Sequence, residues 1–223
     1  LKNYRKVIKN DQEILVKDQP FWNLFDSGWE ADSFDVLDHF LTKDVIYIDV
    51  GAWIGPLVLY ASRKCKQAYA IEADSVAYEE LCKNIEANIF QILTFKQAIY
   101  NYDGEIQLSG NAGDSMTRVG AYKTDFHVPC QTLNTFVIQN DIQNPMFIKM
   151  DIENAEEFVL EQIDFFEKYK PILFISLHPQ WFKDQVKGME TIRKVGRLYR
   201  HRWNTSLAET NIEEGAGPWI FFD

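Results

Sequence analysis

A chain of 223 residues, 46% apolar and 25% charged, has the composition of an ordinary globular domain and enough length to bury a full core. Its formal net charge of -10 argues against a general binder of phosphate backbones, so no nucleic-acid partner is expected. No apolar run reaches the roughly 18–20 residues that span a bilayer, and no secretory signal opens the chain. Cys65, Cys82 and Cys130 form no CxxC pair and leave one cysteine over in any disulfide scheme, which points to a reducing, cytoplasmic compartment. The start at Leu1 rather than Met is expected of a domain excised from a longer protein.

Residues 1–42 are expected to form a cap. The first twenty are mixed and charged, and Asp18-Gln19-Pro20 reads as a break. A strongly aromatic stretch runs from Phe21 to Trp29. Phe34, Leu37 and Leu41 then fall at helical spacing, with Ser33 as the expected N-cap. Glu30 stands out as a carboxylate between the aromatic cluster and the helix that leads into the next segment.

Residues 43–223 are expected to form the main domain, organised around VIYIDVGAWIG at 45–55. Val45, Ile46 and Ile48 form an apolar run that suits a buried parallel strand, followed by a glycine turn and the helical GPLVLYASRK. Such a corner binds nucleotides: at Gly51 the main chain can approach a ligand, and Gly55 allows tight packing of helix on strand. It lacks the G-x-G-x-x-G of a dinucleotide site. Asp49 would repel phosphate but attract a cation, and Pro56 removes an amide donor near the helix start. S-adenosylmethionine carries a sulfonium, an ammonium and a carboxylate but no phosphate, and suits the corner better. An ordinary strand-turn-helix corner without a ligand is the alternative.

The next strand, Gln67–Glu72, ends on a carboxylate about twenty residues past the glycine turn, where doubly wound folds reach ribose hydroxyls. Both NAD and S-adenosylmethionine have that requirement. A helix over 75–88 follows, with Ser75 as its expected cap, and then a strand over 91–99 whose end, Gln97-Ala98, lies where an adenine ring would sit. Asp103-Gly104 reads as a hairpin turn. GEIQLSG and FHVPCQTL read as strands flanking a Gly/Ser/Asn-rich loop in which Ser115 is a candidate ligand contact.

In MFIKMDIENAE at 146–156, apolar residues lead to Asp151 and Glu153, and one helix is expected to follow at once. Two carboxylates at the C-terminal end of a strand can bind a metal, orient a hydroxyl, hold a ligand's ammonium, or cap the helix. Glu156 fits the capping role. A strand over 172–177 runs into His178, which on the same rim as Asp151 could accept a proton from a hydroxyl. A helix near 183–198 and an edge hairpin from strands near 199–207 and 217–223 close the chain.

Taken together, WE at 29–30, IDVGAWIGPLVLYA at 48–61, AIEAD at 70–74 and IKMDIENAE at 148–156 resemble the FkbM family of class I S-adenosylmethionine-dependent methyltransferases, over roughly Phe21 to Trp181. The resemblance implies a Rossmann-like α/β fold, with a mostly parallel seven-stranded sheet, helices on both faces and an N-terminal helical, aromatic cap. It implies S-adenosylmethionine as methyl donor and S-adenosylhomocysteine as product. The cofactor set carried over is Glu30, Asp49, Gly51, Ala52, Gly55, Glu72, Ala73, Gln97, Ala98, Ser115 and Asp151, with His178, Asp151 and Glu153 as the catalytic set. No metal is expected; a divalent ion on Asp151 and Glu153 is the weaker alternative. The implied acceptor is a hydroxyl of a sugar or glycan, such as a terminal rhamnose or fucose, and fusion to other glycan-processing domains fits the same picture. Asn154, Asn134 and Ser176 stand where the family usually has Gly, an acid and Glu. Two other readings stay open: an NAD-linked sugar-nucleotide oxidoreductase, disfavoured by the two-glycine turn and the lack of Tyr-x-x-x-Lys, and a non-catalytic glycan- or partner-binding domain.

Overall fold

The computed structural model describes residues 3–109, 113, 118–119, 125–211 and 218–223. The chain opens with β1 (Tyr4–Lys9) and β2 (Gln12–Lys17), paired antiparallel. Asn10 and Asp11 join them with φ of 44° and 62°. Two left-handed residues in a two-residue loop match the twist of the flanking strands, and Asn and Asp tolerate them better than most. The sequence reading left this hairpin out: its inward alternation is only Val7, Ile14 and Val16, set among charges. Helix α1 (Phe21–Asp26) and α2 (Ala31–Phe40) complete the N-terminal segment. The N-cap of α2 is Glu30, in a left-handed conformation, and not Ser33. Ser33 is buried one turn in, and its hydroxyl donates to Glu30 Oε2 at 3.1 Å.

The central unit follows as β3 (Ile46–Val50), α3 (Pro56–Ala61), β4 (Gln67–Glu72), α4 (Ser75–Glu86) and β5 (Ile92–Lys96). Asp74, not Ser75, caps α4, accepting from the Val76 and Ala77 amides. A small second sheet contains β6 (Ala98–Ile99), β7 (Gly104–Ser109), β8 (Arg118–Val119) and β9 (Asp125–Gln131) in the order β6-β9-β7-β8. β9 lies between β6 and β7, so Asp103-Gly104 closes no hairpin. Asp103 instead accepts from the Thr132 amide and the Thr135 hydroxyl at 2.8 and 2.7 Å, tying down the start of α5 (Leu133–Gln139).

After β10 (Met146–Met150), the single expected helix is two short ones, α6 (Glu156–Val159) and α7 (Ile163–Tyr169). Then come β11 (Ile172–Ile175), a 3-10 turn at Pro179–Trp181, α8 (Gln185–Arg197), β12 (His201–Asn204) and β13 (Trp219–Phe222).

The main sheet has seven strands in the order β12-β13-β11-β10-β3-β4-β5. Only β13 runs against the others, pairing antiparallel with both β11 and β12, which gives the expected edge hairpin. β3 and β10 are buried along their whole length, as strands covered on both faces must be. One face carries α5, α7 and α8, through Phe136, Phe166 and Ile192 among others. The other carries α3 together with the N-terminal hairpin and helices, through an edge-to-face series in which Trp22 meets Phe25, Phe25 meets Phe34 and Phe34 meets Tyr60 of α3. The order reverses between β3 and β10, and a ligand crevice is expected outside the carboxyl ends of strands at such a reversal. This is a class I methyltransferase fold. Among the described residues, no helix is long and apolar enough to cross a membrane.

Candidate active site

At the C-terminal end of β3, Gly51 has φ of 82°, and a Cβ built there would lie 2.0 Å from the Asp151 carbonyl oxygen. The chain's own backbone, rather than a ligand, would therefore be struck first by a side chain at 51. Gly55 (φ 97°) is the N-cap of α3, and a Cβ there would press on Leu81 of α4 at 2.8 Å. Gly55 is not in the wall of any of the three cavities along the rim, and its close neighbour is Leu81.

Between β4 and the small sheet lies a narrow cleft, whose empty space of about 640 Å³ includes its open mouth. Gly51, Glu72, Ala73, Gln97, Ala98 and Asp151 all line it, and Ile71, Ile99, Ile106 and Leu108 supply apolar walls. Glu72 is 9% exposed and rigidly held: Oε2 accepts from the Trp53 amide and Oε1 from the Asp74 amide, each at 2.7 Å. Burial pushes the Glu72 carboxyl up to about 7. Ser115 lies outside the described residues.

A second cavity adjoins the first across Gly51 and Trp53; Glu30, Asp49, Lys149, Asp151 and Glu153 are the charged residues of its wall, which also includes Ala52. Lys149 was absent from the sequence-derived site, yet it organises this floor. Its ammonium lies 3.4 Å from the Gly51 carbonyl, 3.6 Å from Asp49 and 3.7 Å from Asp151. A lysine inside a five-residue strand that is otherwise apolar was the available signal, since a buried ammonium demands a carboxylate neighbour. The register supplies one, pairing Lys149 with Asp49 across β10 and β3. Burial alone would lower the Lys149 pKa; Asp151, Asp49 and Glu30 outweigh it and raise it. Burial pushes Asp49 up to about 6 and raises Glu30 as well. Asp49 thus has a cation of the same chain, Lys149, beside it.

A third cavity, with Glu30, Asp32, Ser33, Asp151, Ser176 and His178 in its wall, opens on the far side of Asp151. His178 Nε2 lies 3.7 Å from Asp151 Oδ1 and 3.6 Å from Glu153 Oε2, while Nδ1 lies 3.1 Å from Glu156 Oε1. The structure therefore brings Asp151, Glu153 and His178 together, with one ligand-capable atom of each within 4.8 Å of the others. Burial alone would lower the His178 pKa, but the Glu156 hydrogen bond and charge, with Asp151 and Glu153, raise it above 6.5. Glu156 does not cap α6. It is fully buried and accepts from the Ile152 and Asn154 amides at 3.0 and 2.9 Å, holding the turn in front of its own helix. Asp151 lines all three cavities, so the rim is one continuous cleft.

The methyltransferase FkbM domain model matches residues 49–202. The chain belongs to the FkbM methyltransferase family. The match leaves out Trp29-Glu30 but takes in the glycine turn from Asp49, AIEAD at 70–74 and IKMDIENAE at 148–156, and it runs past His178. Among curated proteins, an uncharacterised protein of Methanocaldococcus jannaschii is 24% identical over 159 residues, 62% of this chain and 61% of its own length. The chain thus spans about three-fifths of that relative. Among solved structures, an FkbM methyltransferase from Methylobacillus flagellatus KT is 16% identical over 81% of this chain and 44% of its own, with a TM-score of 0.49. Trm5 of M. jannaschii, solved with adenosine, is 12% identical over 86% of this chain and 46% of its own, at a TM-score of 0.38. TYW2 of M. jannaschii, solved with AdoMet, is 18% identical over 43% of each chain, at 0.30.

Proposed function

We propose that the protein transfers a methyl group from S-adenosylmethionine to a hydroxyl oxygen of a sugar or glycan. The observation that carries this reading is the shared wall: Asp151 lines both the cleft beside Glu72 and the His178 cavity. The donor-side residues fit the ligand's chemistry. Glu72 offers two fixed acceptor oxygens for a diol, Ile71, Ile99 and Leu108 offer an apolar slot for a base, and Glu30, Asp49 and Asp151 surround Lys149 with more negative charge than it can balance. That excess favours a cationic donor and disfavours a pyrophosphate.

The donor supplies an electrophilic methyl carbon, so that a C–O bond forms as the C–S bond breaks and sulfur keeps the electron pair as a neutral thioether. The chain aligns the reactants and removes one proton. His178 Nε2 takes the hydroxyl proton and passes it to solvent, and Asp151 and Glu153 beside Nε2 stabilise the imidazolium. Residues 1–42 act in this reading as a cap that carries Glu30 to the rim. A sugar acceptor is favoured by the hydroxyl- and carboxylate-rich wall of the third cavity, where Ser33, Ser176 and Thr205 can exchange hydrogen bonds with several ring hydroxyls.

The test is methyl-labelled S-adenosylmethionine incubated with a panel of neutral glycans that includes terminal rhamnose and fucose. Label on a glycan oxygen is the expected result; label on none, with the donor bound, would overturn the acceptor assignment. A second reading rests on the close approach of Asp151, Glu153 and His178: a divalent ion held there would activate the hydroxyl instead. Turnover unaffected by EDTA favours the histidine; abolished turnover favours the ion.

A further inference from the structure

We infer that Glu156 is a positioning residue that holds the His178 ring with Nδ1 protonated, leaving Nε2 as the acceptor facing the cleft. This rests on the reading of His178 as the base. Both carboxylate oxygens of Glu156 already accept: Oε1 from the Ile152 amide at 3.0 Å, Oε2 from the Asn154 amide at 2.9 Å. Glu156 is fully buried, so no solvent competes for the remaining lone pair, which faces His178 Nδ1 at 3.1 Å. A carboxylate in that setting accepts, so the ring nitrogen opposite it donates. In the neutral imidazole the other nitrogen then carries the lone pair. That nitrogen faces Asp151 and Glu153 at 3.7 and 3.6 Å, too far for direct hydrogen bonds.

The ring is also held from its face. His178 stacks on Trp181 with centroids 5.2 Å apart and planes 12° from parallel. The Trp181 carbonyl accepts from Asn154 Nδ2 at 3.1 Å, and the Asn154 amide is one of the two donors on Glu156. Glu156, Asn154, Trp181 and His178 thus close a ring of contacts. This accounts for an asparagine where the family resemblance leads one to expect glycine. Asn154 has φ of 87°, a left-handed conformation asparagine tolerates, and its side chain makes a tie that glycine cannot. A carboxylate at Nδ1 that fixes tautomer and orientation is a general device for histidine bases and for metal-bound histidines alike.

The direct test needs no substitution. The ¹⁵N spectrum of His178 in the wild-type protein, at a pH where the ring is neutral, should show a protonated Nδ1 and an unprotonated Nε2. The reverse tautomer would overturn the inference. Glu156→Gln should lower kcat about 10–100-fold with the donor KM within about twofold; a wild-type kcat would also overturn it. Should that variant fail to fold, Asn154→Gly, which suits the left-handed backbone, removes only the Trp181 tie and should lower kcat in the same direction by a smaller factor. No change there, with the reverse tautomer in wild type, would end the proposal. Full activity in His178→Ala would overturn the general-base reading; a reversed tautomer in a protein that His178→Ala inactivates would overturn the Glu156 role alone.

Discussion

The cleft beside Glu72 and the His178 cavity meet at Asp151, but different parts of the chain assemble them. The first draws on the ends of β3, β4 and β5, on β7 of the small sheet and on the turn after β10, and backbone contacts fix two of its positions: Gly51 fitted against the Asp151 carbonyl, and Glu72 clamped by two amides. The second draws on Glu30 and Ser33 from the N-terminal segment, Asp151 after β10, His178 after β11, and Thr205 beyond β12. Its geometry depends on side chains meeting across long sequence distances. Donor binding and proton removal should therefore be separable by substitution.

The largest effect should come from Gly51→Val. Its Cβ would sit 2.0 Å from the Asp151 carbonyl, so the seam between β3 and β10 must open, and both cavities lose their common wall. Donor binding should be abolished in calorimetry, with the near-UV spectrum altered as well; normal binding would show that the ligand lies elsewhere. His178→Ala should separate the cavities: turnover falling by about 10²–10⁴, the range for a lost general base, with donor affinity unchanged. In the wild type, activity should decline as pH falls through a midpoint above 6.5, because the raised His178 pKa leaves the base protonated below it. A profile flat from pH 6 to 9 would contradict the assignment.

Lys149→Met tests the floor the cavities share. Removing the ammonium leaves Asp49 buried and unpaired, a loss of about 3–5 kcal/mol in urea unfolding at pH 8. The deficit should shrink as pH falls, since the raised pKa of Asp49, about 6 with Lys149 present and higher without it, lets a proton remove the charge. A deficit independent of pH would mean that Lys149 acts by packing alone. The smallest effect is expected for Glu72→Ala, about 1–3 kcal/mol in donor affinity, the scale of lost charged hydrogen bonds. Its turnover at saturating donor should stay near that of wild type.

The same division explains what the sequence disclosed. The β3 turn, the Glu72 strand end, Asp151, Glu153 and His178 were legible because local patterns mark them: apolar runs broken by glycine or by a carboxylate. Lys149 was not, because its meaning lies in the cross-strand register with Asp49. Nor was the part played by Glu156, which as a carboxylate at a helix start reads as a cap until His178 is seen beside it. The N-terminal hairpin escaped because only Val7, Ile14 and Val16 mark its inner face, while Ile8 beside them is 58% exposed. The close packing of Gly55 on Leu81 was not legible either, because sequence spacing does not bring α3 and α4 together.

The central claim is that the cavity at the ends of β3 to β5 binds the methyl donor independently of the proton-removing histidine. Calorimetric titration of S-adenosylhomocysteine into wild type and His178→Ala, with NAD as comparator, tests it most directly. The two proteins should bind S-adenosylhomocysteine with the same Kd and show no heat with NAD. Binding of NAD instead, or S-adenosylhomocysteine binding lost with His178, would contradict the claim.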